Sequence, residues 1–184
     1  MQAKAVLIGS MAVGKTALSN SAQGHDFQET YQATIATGYY VYHSTVNGKP
    51  VALQIWDTAG MEQYKSLGPI YYRGSHAAIF VYDLTRESTA REISMWYENF
   101  MQSVQNDFYG ILVANKLDLV DSNVSTTMME AWAEEHGMDF LKTSAKTGTN
   151  IEKLFEMVVQ GSIRVRNSSI FQENPEPVAE KKCC

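Results

Sequence analysis

Apolar and polar residues follow two patterns along this chain, and the patterns alternate. Short continuous apolar runs such as 77–84 and 110–116 are typical of strands in a parallel sheet, because helices cover both faces of such a sheet. The turn sequence Asn-Gly-Lys-Pro joins two further runs and predicts a hairpin. The predicted strands are 4–9, 37–46, 51–57, 77–84, 110–116 and a last one that ends within 139–145.

Longer segments between these runs carry apolar residues at helical spacing. The predicted helices span 14–23, 87–104, 125–137 and 150–166. The alternation predicts a doubly wound α/β domain whose six-stranded sheet is mostly parallel, with one antiparallel edge strand and helices on both faces. We expect this domain to occupy 1–166, and the proline-bearing, charged segment 167–184 to form a flexible tail.

The composition narrows the class of protein without identifying it. The length of 184 residues fits one domain, and 45% apolar with 19% charged residues is ordinary for a globular chain. A net charge of −5 gives no basic excess, so we expect no nucleic-acid partner. The first apolar run is too short for a signal peptide, and no run approaches the roughly 20 residues of a membrane span. The only cysteines are the last two residues, which excludes a disulfide framework and fits a reducing compartment.

The sequence GSMAVGKT at 9–16 matches the pattern G-x-x-x-x-G-K-[ST] and lies between a predicted strand and a predicted helix. Backbone N–H groups of such a loop wrap a diphosphate, Lys15 reaches the outer phosphates, and the Thr16 hydroxyl holds Mg²⁺. The predicted phosphate-binding residues are Gly9, Ser10, Met11, Ala12, Val13, Gly14, Lys15 and Thr16. The loop predicts a P-loop NTPase fold but does not select the base, so an ATPase or a small-molecule kinase stays open at this point.

Two further motifs favour guanine over adenine. NKLD at 115–118 and TSAK at 143–146 each follow a strand, where ligands bind at the carboxyl edge of the sheet. Asp118 there can accept two hydrogen bonds from the N1–H and amino group of guanine, and the Ala145 N–H can reach its carbonyl. The predicted guanine-binding residues in these motifs are Asn115, Lys116, Asp118, Ser144, Ala145 and Lys146.

Taken in order, these motifs resemble the small GTPases of the Ras superfamily, and the Rab branch in particular. The resemblance covers about 3–163 and the terminal Cys-Cys, and includes TI at 34–35 and WDTAG at 56–60. YYRGSHAAIFVYDLT at 71–85 and LQIWDTAG favour Rabs, and SLGPIYYRG at 66–74 is most similar to the early-endosomal subgroup. The resemblance implies a GTP/GDP switch in vesicle and membrane traffic, with Mg²⁺ as cofactor and hydrolysis of GTP to GDP as activity.

The resemblance also assigns roles to single residues. It implies that Thr34 and Gly60 contact the γ-phosphate beside Lys15, that Thr16, Thr34 and Asp57 hold Mg²⁺, and that Phe27 stacks on guanine. Switch I is expected at about 28–37 and switch II at about 58–74. Tyr39, Trp56 and Tyr71 match the aromatic triad that Rabs show to effectors, although aromatic residues in strands are more often core. Ala36 and Gly38 depart from the Rab pattern at this edge, which leaves the identity of the effector open.

Met61 departs from the family in a way that bears on catalysis. The family carries a glutamine there that orients the attacking water, whereas a thioether has no N–H to donate and is a weak acceptor. Met11, in the phosphate loop, also stands where the family has a small residue, and its bulk is expected to point toward the space of the attacking water. We therefore expect slow intrinsic hydrolysis, and the alternative is a largely GTP-locked binding module. Activators of the TBC type supply an arginine and a glutamine in trans, so assisted hydrolysis is compatible with Met61.

Cys183 and Cys184 end the chain in a pattern similar to the double geranylgeranylation signal of Rabs. Two lipid chains give lasting membrane attachment where one is marginal. The resemblance implies a monomer in the cytosol and on the cytoplasmic face of endomembranes, with the early endosome as the expected compartment. The implied protein partners are effectors that bind switch I and switch II, an exchange factor, a TBC-type activating protein, a GDP-dissociation inhibitor, a Rab escort protein and a geranylgeranyl transferase.

Overall fold

A computed structural model describes residues 1–28, 38–58, 68–121 and 125–173 of the chain. In these residues the strands are β1 Gln2–Ile8, β2 Gly38–Val46, β3 Lys49–Asp57, β4 Ala77–Asp83, β5 Tyr109–Asn115 and β6 Asp139–Lys142. The helices are α1 Lys15–Ala22, α2 Gly68–Tyr72, α3 Glu87–Arg91, α4 Ile93–Met101, α5 Thr127–Glu135 and α6 Ile151–Glu173. None of the helices in the described part of the chain is both long enough and apolar enough to span a membrane.

The described strands form one sheet in the order β2-β3-β1-β4-β5-β6. Every neighbouring pair is parallel except β2 with β3, which is the predicted antiparallel hairpin. Its turn places Asn47 at φ 51° and Gly48 at φ 73°, the left-handed conformations that a tight hairpin turn requires. The predicted α/β fold with a six-stranded, mostly parallel sheet is therefore confirmed.

The sheet is apolar on both faces because helices cover both. Alternate residues of β1 separate accordingly: Leu7 belongs to the core under α1 and α6, whereas Val6 belongs to the core under α4 and α5. All seven residues of β4 are buried. This packing explains why the central strands appear in the sequence as continuous apolar runs rather than as alternating ones.

Two helices differ from their predicted bounds. The helix expected at 87–104 is interrupted at Glu92, which separates α3 from α4. Helix α6 continues to Glu173 rather than ending at 166, and it therefore crosses the boundary expected between domain and tail. The residues after 166 contain no glycine or proline before Pro175, and a proline disfavours helix at the residue before it, so the helix has no earlier reason to end. The division into domain and tail stays a prediction.

Gly161 permits the close approach of α6 to β5. A Cβ atom at this position would lie 2.1 Å from the Tyr109 ring, which bonds Asp139 through its hydroxyl at 2.5 Å. We expect Gly161→Ala to lower the free energy of unfolding by about 1–3 kcal/mol, because the ring or the helix must shift. Urea denaturation measures this loss. Gln160→Ala, at an exposed position of the same helix, is the control; equal stability of the two variants would show that the contact is not tight.

Candidate functional site

The loop at 9–14 connects the carboxyl end of β1 to α1 and is closely packed against neighbouring strands. Gly9 has φ 146°, and a Cβ atom there would lie 2.2 Å from the carbonyl oxygen of Val81. Gly14 has φ 100°, and a Cβ atom there would lie 2.3 Å from the Asn115 side-chain nitrogen. Only glycine fits at either position, so the two fixed glycines of the motif have a packing reason in this chain.

Lys15 lies inside the curve of this loop. Its side chain is buried, and its Nζ donates hydrogen bonds to the carbonyl oxygens of Gly9 at 2.7 Å and Ser10 at 2.9 Å. Burial lowers the pKa of the Lys15 ammonium to about 8, against the opposing attraction of Asp57. An ammonium group held this way sits where an anion bound by the loop amides would meet it.

Asp57 and Thr16 form a hydrogen-bonded polar pair next to the loop. The Thr16 hydroxyl donates to Asp57 Oδ2 at 2.5 Å, while Oδ1 of the same carboxylate is buried and has no hydrogen-bond partner within the described residues. Burial raises the pKa of Asp57, against the lowering effects of the Thr16 hydrogen bond and of Lys15. A buried carboxylate oxygen left without a partner beside a hydroxyl suits a hard cation such as Mg²⁺, which takes few protein ligands and keeps its waters.

Asn115, at the end of β5, ties the loop after β6 to the phosphate loop. Its Nδ2 donates to the carbonyl oxygen of Val13 at 2.9 Å. Its Oδ1 accepts from the Thr143 hydroxyl at 3.1 Å and from the Ala145 N–H at 3.3 Å. The first residue of NKLD thus holds the loop that carries TSAK against the loop that carries Lys15.

Most of the remaining predicted guanine-binding residues make pairwise contacts with one another. The exposed Asp118 accepts a hydrogen bond from the Ser144 hydroxyl at 2.5 Å. Phe27 is exposed, and Lys146 Nζ lies 5.8 Å from the centre of its ring. Lys116 has a left-handed backbone, φ 68°, and its side chain turns away from Asp118 to an ion pair with Asp83. The structure therefore brings together the residues that the sequence predicted for base recognition.

Asp83, which the sequence did not single out, connects the phosphate loop to the loop that carries Lys116. It ends β4 with its side chain 1% exposed, and its Oδ2 lies 2.7 Å from Lys116 Nζ and 2.9 Å from Arg86 Nε. Arg86 in turn donates to the carbonyl oxygen of Met11 at 2.9 Å. Burial raises the pKa of Asp83, but hydrogen bonds from Lys116, Thr85 and Arg86 outweigh it and hold that pKa below its ordinary value. The sequence signal for this role is a carboxylate at the end of a wholly apolar strand, because a buried charge requires hydrogen-bonding or oppositely charged partners.

The three predicted effector residues form a continuous aromatic surface. The rings of Tyr39 and Trp56 meet edge to face at 5.3 Å, and those of Trp56 and Tyr71 are 5.9 Å apart. Tyr39 is 50% exposed, whereas Trp56 and Tyr71 are half-buried against the core on one side of the sheet. Ile70, 69% exposed, precedes Tyr71 on α2. The three aromatic residues are therefore partly core and partly exposed surface, which is compatible with both interpretations.

Several predicted residues lie outside the described part of the chain. These are Thr34, Gly60, Met61, Cys183 and Cys184, and their roles stay predictions. Met11, by contrast, is described and is 44% exposed, so its side chain lies at the surface of the loop rather than in the core.

The sequence of this chain is similar to those of known proteins. The model of the Ras family matches residues 4–164 of the chain. The Ras-related protein RIC1 of Oryza sativa subsp. japonica is 35% identical over 192 residues, an alignment that covers 98% of this chain and 95% of that protein. The family match includes the phosphate loop, the strand that ends at Asp57 and both predicted guanine motifs.

The shared carboxylate of Asp83 yields a prediction on stability and pH. We expect Asp83→Asn to lower the free energy of unfolding at neutral pH by about 1–3 kcal/mol, because Arg86 and Lys116 lose the negative charge of the oxygen that they share. The folded-state pKa lies below the ordinary value of 3.8, so this contribution is present above pH 3.8 and is lost as the pH falls through the folded-state pKa.

Urea denaturation of the parent and of Asp83→Asn across this pH range measures the effect. The difference between the two proteins should shrink in acid. Glu87→Gln removes an exposed carboxylate that pairs with Arg91 on α3, and should change stability by less than about 0.5 kcal/mol at any pH. A difference for Asp83→Asn that stays constant from neutral pH into acid would contradict the assigned ionisation.

Proposed function

This chain belongs to the Ras family of small GTPases, and from that membership we propose that it is a GTP/GDP switch of the Rab type that regulates vesicle traffic on endomembranes. Members of the family bind GTP or GDP together with Mg²⁺. The observation that carries the proposal for this chain is the burial of Lys15 within the phosphate loop, together with a buried and partly unpartnered Asp57 whose charge acts on Lys15. A cation and a carboxylate that lie beside a loop of N–H groups fit a nucleotide polyphosphate with its metal.

The phosphate loop binds in this proposal mainly through its backbone. The N–H groups from Gly9 to Thr16 surround the diphosphate, and Lys15 exchanges its bonds to loop carbonyls for bonds to the outer phosphates. The anion restores charge complementarity around a lysine whose pKa is lowered by burial, so nucleotide and lysine stabilise each other.

Thr16 and Asp57 would hold the magnesium ion, with Thr34 completing the set. These residues would place the ion where its charge neutralises that of the outer phosphates. The unpartnered Oδ1 of Asp57 supports this assignment, because holding the ion through water would give this buried acceptor a partner.

Base selection rests on Asp118 and on the loop that Asn115 holds in place. Asp118 presents a carboxylate that accepts from two guanine donors, and Ser144 orients that carboxylate. The Ala145 N–H, which donates to Asn115 Oδ1 in this structure, would reach the guanine carbonyl. Phe27 and Lys146, which lie close together, would both contact the base.

Hydrolysis is expected to be slow in the isolated protein. Lys15, Thr34 and Gly60 would stabilise the γ-phosphate, but Met61 cannot orient the attacking water by donating a hydrogen bond. A loss of about 10²-fold in rate corresponds to about 2.7 kcal/mol of barrier. A GTP-locked binding module is the second candidate. It is favoured by Met61 together with the exposed side chain of Met11.

The membrane and partner assignments follow from the aromatic surface and the two terminal cysteines. The exposed edge of Tyr39 beside Trp56 and Tyr71 supports effector binding across switch I and switch II. Geranylgeranylation of Cys183 and Cys184 would anchor the GTPase to the cytoplasmic face of an endomembrane, with the early endosome as the compartment we propose. The same lipids would require an escort protein, a transferase and a dissociation inhibitor.

Single-turnover hydrolysis of bound GTP tests the catalytic part of the proposal. We expect Met61→Gln to raise the rate by about 10²-fold, because an amide restores water positioning. Met61→Leu is the matched control, since it keeps an apolar side chain without an amide, and it should remain as slow as the parent. If Met61→Gln is no faster, Met11→Gly with Met61→Gln will show whether Met11 blocks the water.

A TBC-type activating protein distinguishes the two candidate functions in the same assay. A slow switch is accelerated by the activator although Met61 is present, because the activator supplies its own glutamine. A GTP-locked module is not accelerated. Complete absence of GTP binding by the parent would refute both.

Guanine selection yields a separate prediction on affinity. Asp118→Asn should weaken GTP binding by about 3 kcal/mol, roughly 10²-fold, because two guanine donors lose their acceptor. Xanthosine triphosphate should bind the variant better than the parent, since its C2 carbonyl accepts from the new amide. Titration calorimetry with both nucleotides measures this exchange. Asp121→Asn, a nearby surface change, should leave both affinities unaltered, and unchanged GTP affinity in Asp118→Asn would refute the assignment.

A further inference from the structure

The side chain of Ser10 bonds to helix α4. Its hydroxyl donates to a carboxylate oxygen of Glu92 and accepts from the Trp96 indole N–H at 3.0 Å. Trp96 is buried at 4% exposure, and Glu92 is the residue at which α3 gives way to α4. The Ser10 hydroxyl therefore donates one hydrogen bond and accepts another, and its two partners lie 82 and 86 positions away in the chain.

The next residue of the loop is held by the same part of the chain. The carbonyl oxygen of Met11 accepts from Arg86 Nη2 at 2.9 Å, and Arg86 is itself fixed by Asp83. The first variable positions of the phosphate loop are thus attached to the segment 86–96 by one main-chain and two side-chain contacts. We call this segment the α3–α4 brace.

The loop conformation needs such external support. Ala12, which follows directly, has φ 61°, in the left-handed region that costs a residue with a Cβ about 1–2 kcal/mol. A strained backbone of this kind persists only where surrounding contacts determine it. Ser10 and Met11 are the residues through which the α3–α4 brace reaches this strained position.

We propose that Glu92 and Trp96 are positioning residues that act through Ser10 to fix the phosphate loop and thereby slow nucleotide release. The inference rests on the proposed nucleotide function and adds a determinant outside the nucleotide site. The loop amides bind phosphate only while they converge on one point, so a looser loop releases nucleotide faster. A serine hydroxyl held by a carboxylate forms a charge-assisted hydrogen bond, stronger than a bond between neutral groups.

The dissociation rate of a fluorescent N-methylanthraniloyl GDP, chased with excess GDP in the presence of Mg²⁺, tests the inference. Ser10→Ala and Glu92→Ala should each accelerate release by about 5–10-fold, the size expected for loss of one charge-assisted hydrogen bond. Trp96→Phe, which keeps the ring and removes the N–H, should accelerate it by less. Glu92→Gln retains an acceptor oxygen without charge and should fall between the parent and Glu92→Ala.

A double-mutant cycle separates positioning from general destabilisation. Because Glu92 acts through the Ser10 hydroxyl, Ser10→Ala with Glu92→Ala should release nucleotide no faster than the faster single variant. Glu98→Ala, an exposed change on the same helix, is the control and should leave the rate unaltered. Additive effects, or rates equal to the parent in both single variants, would overturn the inference.

The same release assay distinguishes failure of the nucleotide function from failure of the α3–α4 brace. If the parent does not bind the fluorescent GDP, the proposed nucleotide function itself is refuted. If the parent binds it and the variants release it at the parental rate, only the role of the α3–α4 brace is refuted. If Glu92→Ala does not fold, the Ser10→Ala, Glu92→Gln and Trp96→Phe rates decide the question alone.

Discussion

Lys15 is an ammonium group buried at the point where β1 ends and α1 begins, and its burial governs how the surrounding chain is arranged. A buried charge is costly unless it is hydrogen-bonded, so the loop curls until the carbonyl oxygens of Gly9 and Ser10 meet the lysine. The tight curl presses Gly9 against β4 and Gly14 against the side chain of Asn115, which excludes a Cβ at both glycines. The need to hydrogen-bond the buried Lys15 therefore accounts for both fixed glycines of the motif.

The rest of the carboxyl edge of the sheet is connected to this loop through a few polar side chains. Asn115 links it to the loop after β6, and Asp83 links it to Lys116 through Arg86 and Met11. Because β1, β4 and β5 are adjacent and parallel, their carboxyl ends lie side by side, and side chains there can reach one another. The residues predicted to bind phosphate and those predicted to bind the base thus belong to one connected framework.

The sequence predicted those parts of the molecule that depend on local pattern. The apolar runs located the strands, and the phosphate loop and the NKLD and TSAK motifs located residues that do converge. It did not predict the partners of Asp83 or of Ser10, because those contacts join residues that become neighbours only through the order of the strands. The interruption at Glu92 was missed for another reason: a break of one residue hardly disturbs the helical spacing of apolar residues on either side. Helix α6 is longer than its prediction because polar and charged residues after 166 do not end a helix, and the first proline lies only at 175.

In the proposed slow switch, nucleotide binding and nucleotide hydrolysis depend on different residues, so one can be weak while the other is strong. The groups assigned to holding it, Lys15, Asp57 and Asn115, are fixed by contacts between strand ends and the phosphate loop. The residue that departs from the family pattern, Met61, lies outside the described residues, and in the proposal its missing amide affects only a water that attacks during the reaction. Binding strength depends on the ground state, whereas a water-positioning group acts in the transition state. A change at this position can therefore lengthen the lifetime of the GTP-bound form without weakening it, which an effector-binding switch can use and an activating protein can reverse.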